Sequence, residues 1–350
     1  GDEPNLVAEY GDLMMLGLQD EGVLACAKHF PGHGDTDVDS HLDLPVIKHD
    51  INRLENLELV PFEKLIDSGV SSIMLAHMNV PALDDKNITT FSYKIVTELL
   101  EKNLNFNGLK ITDALGMGAL TNYYNPGEIE RNAFLAGFAI LLCPLDVPKS
   151  VDLIENAILS GQVSEDELDR RVLKILNAKE QAILNNNSSL IEINSEKLLA
   201  EINTQYAKDL KANLYQEAIT ILKDPENLIP ICCPLENFPE PEFWASLASS
   251  DLKEGLWMFE SCAVASIFEI NKFSSKDFGI SEEIISDLIK IKKSGKKLVA
   301  ILYGSPYSAK LFDFADAIII AYENDPDAIN AVEKILSGEC KAIGKIPVKI

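Results

Sequence analysis

Four short apolar runs set the frame for the first part of the chain: VLACAKH (23–29), VSSIMLA (70–76), LKITD (109–113) and FAILLC (138–143). None alternates between apolar and polar residues, and continuous runs of this length mark strands covered on both faces. Helical stretches separate them. Leu54, Leu57, Leu65 and Ile66 punctuate one, and Ile95, Val96, Leu99 and Leu100 mark the next at i, i+3, i+4 spacing. Strand, crossover helix and parallel strand is the unit that satisfies both patterns, so an α/β fold with a parallel sheet is expected.

At 350 residues the chain is long enough for two domains. Ser164 and Glu167 form a capping-box signature for a long helix running to about residue 184, carried by Leu168, Val172, Ile175 and Leu176. The polar break NNNSS (185–189) follows. The expected division is therefore a first domain over 1–184, a mostly helical linker over 185–210 and a second α/β domain over 211–350. In the second domain AITILKD (218–224) supplies an early strand, and KKLVAILYGSP and DAIIIAYE (316–323) read as parallel strands around a helical crossover.

Charge and cysteine content narrow the function. Fifty-five acidic against 31 basic side chains give a formal charge of -24, which repels phosphate backbones and makes nucleic acid an unsuitable partner. No apolar run approaches the roughly 20 residues of a membrane span. The six cysteines are scattered without a CxxC pair and are expected as free thiols, with Cys26 and Cys143 inside buried strands. The chain begins at Gly1 with neither an initiator methionine nor a signal peptide, so compartment is not readable.

Residues 28–41, KHFPGHGDTDVDSH, concentrate the chemistry. As a calcium loop, Asp35, Asp37 and Asp39 take positions 1, 3 and 5, but Ser40 and Val46 stand where an EF-hand needs glycine and glutamate. As a zinc site, His29 and His33 are four apart, yet Pro31 and Gly32 forbid the helix that would align them. A solvated acidic loop accounts for Asp37 and extends to Asp35, but not for a buried strand ending in Lys28 and His29. An acid–base dyad accounts for more: Asp39 and His41 flank Ser40, so in an extended segment their side chains leave the same side, and a carboxylate on one imidazole nitrogen fixes the tautomer of the other. The partner to such a dyad is Asp113 in KITDALGMG, a nucleophile candidate that on position alone could equally cap the next helix. His77, at a strand end in LAHMN, is either a pocket wall or a satisfied structural histidine. His33 reads as bracing its own loop and His49 as a surface residue.

Together KHFPGHGDT with DSH, LVPFEKLIDSGVSSIMLAHMNVPALD, GLKITDALGM and the AG-x-x-ILL run resemble the β-N-acetylglucosaminidase branch of glycoside hydrolase family 3. YQEAITILKD, ILYGSPYSA and GKIPV resemble that family's C-terminal α/β sandwich domain, so the likeness covers nearly the whole chain. It implies a TIM-type barrel, a retaining exo-glycosidase acting on terminal β-linked N-acetylglucosamine in muropeptide or chitin fragments, and no cofactor or metal. It also implies Asp113 as nucleophile, His41 with Asp39 as acid–base, and Lys28 and His29 as sugar contacts, with His77 a further candidate contact. The β-glucosidase branch, a glycoside phosphorylase and an inactive sugar-binding homologue are the alternatives. A closed barrel needs eight strand–helix units. Only four precede the helix ending near 184, and no DQEGG-like segment occurs, so the expectation is the C-terminal half of a TIM-type (β/α)8 barrel followed by the sandwich domain.

Overall fold

A computed structural model describes residues 1–36, 40, 42–185, 195–231, 254–259 and 262–350. It divides into two compact units, Gly1–Ile191 and Glu192–Ile350. Most of the NNNSS break, Cys232 and Cys233 lie outside the described residues.

In the first unit helix α1 (Pro4–Asp20) starts with proline in its first turn, and the Glu3 carboxylate accepts from the Leu6 N–H at 2.8 Å. Both devices deal with N–H groups that a helix start leaves unpaired. Helix α1 packs on α2 (Val60–Asp67). Strands β1 (Cys26–Phe30), β2 (Ser72–Leu75) and β3 (Leu109–Thr112) pair in parallel in that order. Phe30, Ile73 and Leu75 have no exposed surface and pack with Phe62, Val96 and Leu100 beneath the helices. The opposite face of the sheet is less covered: Met74, Ile111 and Ile140 form a half-buried row across the strands.

Two expectations are corrected here. The run at 138–143 is not an extended strand; it makes one parallel bridge, Ile111 to Ile140. Gly137 enters it at φ +120°, Cys143 leaves it at φ +51°, and the Leu142 N–H donates to the Thr112 hydroxyl at 2.9 Å in place of a ladder bond. Cys26 and Cys143 are free but exposed rather than buried. Cys26 lies on edge strand β1 in register with Ser72, on the less covered side, and Cys143 stands past the last bridge. The helical stretch at Lys94–Asn103 is wound as a π-helix, whose i→i+5 bonds still turn Ile95, Val96 and Leu100 into the core. Two shorter helices, α3 (Glu128–Ala136) and α4 (Val147–Leu159), precede α5 (Glu165–Asn185), where the Ser164 hydroxyl accepts from the Glu167 N–H at 3.2 Å.

The second unit contains α6 (Ser195–Ile202), α7 (Gln205–Ala218) and a five-stranded sheet of order β4-β8-β7-β6-β5. The strands are β4 (Thr220–Lys223), β5 (Glu254–Met258), β6 (Cys262–Ile270), β7 (Lys297–Gly304) and β8 (Ala317–Ile320). The three central ones are parallel and the two at the edges antiparallel to their neighbours. Val299, Ile301 and Tyr303 pack to one side with Val332 and Ile335 of helix α9 (Pro326–Ser337), following α8 (Glu282–Lys293). Leu298, Ala300 and Leu302 pack to the other side with Leu288 and Phe312. Burial on both faces is why LVAILY and AIII carry no polar alternation. The expected crossover from β7 to β8 is a short 3-10 helix, Pro306–Phe312. Among the described residues no helix is long and apolar enough to cross a membrane.

Candidate active site

The carboxyl ends of β1, β2 and β3 lie side by side, so the residues that follow each strand meet. From β3, Asp113 is anchored by its N–H, which donates to the Leu75 carbonyl at 3.0 Å. Its Oδ1 accepts from the Ala114 N–H at 2.8 Å, leaving Oδ2 facing His29 Nε2 at 3.7 Å. The carboxylate is mostly buried, with 18% of the side chain accessible. From β1, His29 also sets its ring edge-on to His33, with centroids 6.1 Å apart. Lys28 is exposed and lines a largely apolar groove of about 280 Å³ between α1, β1 and α2, with Met14, Cys26 and Phe62.

His77 follows β2 and has no exposed surface. Its Nε2–H donates to the Ala114 carbonyl at 3.0 Å, and the Thr90 hydroxyl donates to Nδ1 at 2.7 Å. Burial pushes its imidazole below the usual value, against the opposing pull of the Ala114 carbonyl and the Asp113 charge. Of the two readings of His77, the satisfied structural histidine is the one this geometry fits, since an enclosed ring presents no face to a ligand.

The described residues after β1 are tied down at several points. Gly32 sits at φ +130°, and a Cβ there would come within 2.8 Å of the Glu58 Cβ, so only glycine lets the loop pass. His33 shares hydrogen bonds with the Ser40 and Thr36 hydroxyls, both at 3.2 Å. Ser40 is buried, and its carbonyl accepts from the Ala119 N–H at 3.2 Å. Asp35 is held by His49 Nε2 at 2.7 Å and by Arg53 at 3.4 Å. His49, expected as a surface residue, is partly exposed and makes this pair at the surface. Asp37, Asp39 and His41 lie outside the described residues. Among the described residues no group of three or more His, Cys, Asp or Glu side chains is placed to hold a metal ion.

Sequence reading missed Thr89 and Thr90, whose hydroxyls organise the end of β2. Thr89 donates to the Ala76 carbonyl and accepts from the Met78 N–H, and Thr90 holds His77. Nothing in their local pattern separates them from any turn threonine. The signal that was available is the rarity of a fully buried histidine, which demands partners somewhere in the chain.

A carboxylate at the carboxyl end of one strand, 3.7 Å from a histidine at the end of another strand of the same parallel sheet, lies where α/β enzymes carry their chemistry. Residues 1–178 match the Glycosyl hydrolase family 3 N terminal domain, and the chain belongs to that family. The Beta-hexosaminidase A of Pseudoalteromonas piscicida is 24% identical over 421 residues, taking in 100% of this chain and 69% of that protein. The Beta-hexosaminidase of Nitrosomonas eutropha is 38% identical over 150 residues, 43% of this chain and 42% of the relative, so the matched part is less than half of that protein. Among solved structures, a family 3 β-N-acetylglucosaminidase from a Paenibacillus species superposes with a TM-score of 0.74 at 24% identity, over 98% of this chain and 70% of the other. A β-glucoside phosphorylase superposes with a TM-score of 0.75 at 18% identity, over 99% of this chain and 69% of the other. At these identities the likeness is one of fold: part of a TIM-type barrel followed by an α/β sandwich.

Proposed function

We propose that this chain carries the catalytic loops of a retaining exo-β-N-acetylglucosaminidase acting on small saccharides such as muropeptide or chitin fragments, in the recycling of cell-wall sugars. The observation that supports it most is the Asp113 carboxylate, fixed at the end of β3 with one oxygen aimed at His29. In this reading Asp113 attacks the anomeric carbon as the C1–O bond breaks, forming a glycosyl-aspartate. His41, its tautomer set by Asp39, protonates the departing oxygen. Water then attacks the same carbon, giving its proton to His41, and the sugar leaves with retained configuration. Lys28 and His29 hold ring hydroxyls, and no metal takes part. The half-buried row Met74, Ile111 and Ile140 is, on the same reading, a surface against which further barrel elements pack.

The match to relatives named β-hexosaminidases favours N-acetylglucosamine over glucose. The test is an assay of the whole polypeptide on nitrophenyl N-acetylglucosaminide and nitrophenyl glucoside, with and without phosphate. Turnover of the first by at least tenfold over the second, unaffected by phosphate, is expected. Preference for the glucoside, or a glycosyl phosphate as product, would overturn the assignment.

A further inference from the structure

We propose that His77 is a positioning residue: from inside the protein it sets the orientation of the Asp113 carboxylate through residue 114, and never meets the sugar. This deepens the proposed function and rests on Asp113 being the nucleophile.

An imidazole with no exposed surface must have both nitrogens satisfied or bear the cost of a buried orphan. The Ala114 carbonyl can only accept, so the nitrogen facing it, Nε2, carries the hydrogen, and Nδ1 is left as the acceptor for the Thr90 hydroxyl. The ring is thus held neutral in one tautomer, consistent with the downward push of burial on its protonation. Thr90 is itself fully buried, and neighbouring Thr89 bonds the main chain at Ala76 and Met78 on either side of the histidine. The ring is a strut with its base fixed at both ends.

What the strut holds is residue 114. The Ala114 carbonyl accepts from His77 Nε2 and from the Met117 N–H at 3.1 Å, the adjoining Leu115 N–H donates to the Leu142 carbonyl, and on the other side of the Ala114 Cα its N–H donates to Asp113 Oδ1. That bond selects which carboxylate oxygen is tied up and which, Oδ2, faces His29 and the open end of the sheet. Without the strut residue 114 keeps its main-chain bonds but loses its tie to the His77 ring, which gives it and the Asp113 carboxylate room to shift, and a displacement of about 1 Å in an attacking group costs on the order of 100-fold in rate.

The test uses the whole polypeptide with His77→Leu, which keeps bulk and removes both hydrogen bonds, and His77→Gln, whose amide N–H restores the donor toward Ala114. For His77→Leu we expect kcat to fall about 10- to 100-fold with KM within about twofold, and for His77→Gln a return to within about fivefold of the parent. In an Asp113→Gly background rescued by azide, His77→Leu should cost less than about twofold, because no carboxylate is left to position. A rise in KM with kcat retained would make the ring a substrate contact and overturn the proposal. So would equal loss in both backgrounds, or a folded His77→Gln without recovery. If His77→Leu does not fold, Thr90→Val decides: a fall in kcat of about three- to tenfold at constant KM supports the strut, and an unchanged kcat overturns it. The parent reading fails separately, through an active Asp113→Asn. An inactive Asp113→Asn beside an unaffected His77→Leu defeats the positioning role alone.

Discussion

Asp113 and His41 divide the proposed chemistry between a nucleophile and an acid–base, and each makes its own prediction. Asp113→Asn keeps the shape and the Ala114 contact at Oδ1 but removes the attacking charge, so kcat should drop by about three or more orders of magnitude while the fold, followed by thermal unfolding, is unchanged. Retention of more than about a tenth of the activity would remove the nucleophile role. His41→Ala should slow aryl glycosides with good leaving groups far less than disaccharides, whose alkoxide needs a proton. Equal losses on both would reduce His41 to a binding residue. At this scale the sequence singled out Asp113, His29 and the Gly-punctuated loop, because a buried strand that ends in polar residues marks a candidate site, and the fold brings Asp113 and His29 within 3.7 Å. The hydrogen bonds of His77 were not legible. They join positions 77, 90 and 114, and no local spacing encodes which buried partner a histidine finds.

Among the elements, the helices are fastened to the sheet by a charged network as well as by apolar packing. Lys110 points from β3 into the helical layer, 4% of its side chain accessible, and is paired with Glu101 of the π-helix. Burial pushes its ammonium pKa down, with Glu101 pulling it back up. Arg170 of α5 bonds Glu101 at 3.0 Å and Glu167 at 2.6 Å, and Arg171 donates to Glu167 and to the Phe134 and Phe138 carbonyls. These residues bind the π-helix, β3, α3 and α5 into one layer. Glu101→Leu leaves the Lys110 charge buried without its carboxylate and should cost about 3–5 kcal/mol in urea unfolding, whereas Glu101→Leu with Lys110→Met should recover most of the loss. If the single variant is no less stable than the double, the network contributes nothing to the fold. Glu167 adds a pH signature. Partial burial opposes its ionisation, but Arg170 and Arg171 outweigh that and hold its carboxyl at about 2 against an ordinary 4.5. Its stabilising contribution is complete above about pH 4.5 and is lost as pH falls toward about 2, so Glu167→Gln should flatten the acid limb of the stability curve in that window. The parallel runs, the helix start at Ser164 and the strand–helix alternation were readable from capping residues and periodicity. The lysine inside LKITD was passed over as a strand residue, since its partner at 101 lies on another element. The single bridge at Ile140 was hidden for a related reason: an apolar run shows that a segment is buried, not how long it stays extended.

For the whole molecule, two units with separate apolar cores carry different parts of the account. The proposed chemistry lies on the first, at the carboxyl ends of β1, β2 and β3, and the second is an α/β sandwich whose central strands are buried on both faces. The net charge of -24 is consistent with a small, uncharged or weakly charged saccharide rather than a polyanion as the ligand. The central claim is a covalent glycosyl-Asp113 intermediate, and trapping it tests that claim most directly. A 5-fluoro N-acetylglucosaminyl fluoride slows both steps but leaves a good leaving group, so the intermediate accumulates and can be located by mass spectrometry of proteolytic peptides. One sugar per polypeptide, on the peptide containing Asp113 and absent from Asp113→Asn, is the predicted result. Steady turnover of the parent substrate with no covalent adduct, or an adduct on a different residue, would contradict it.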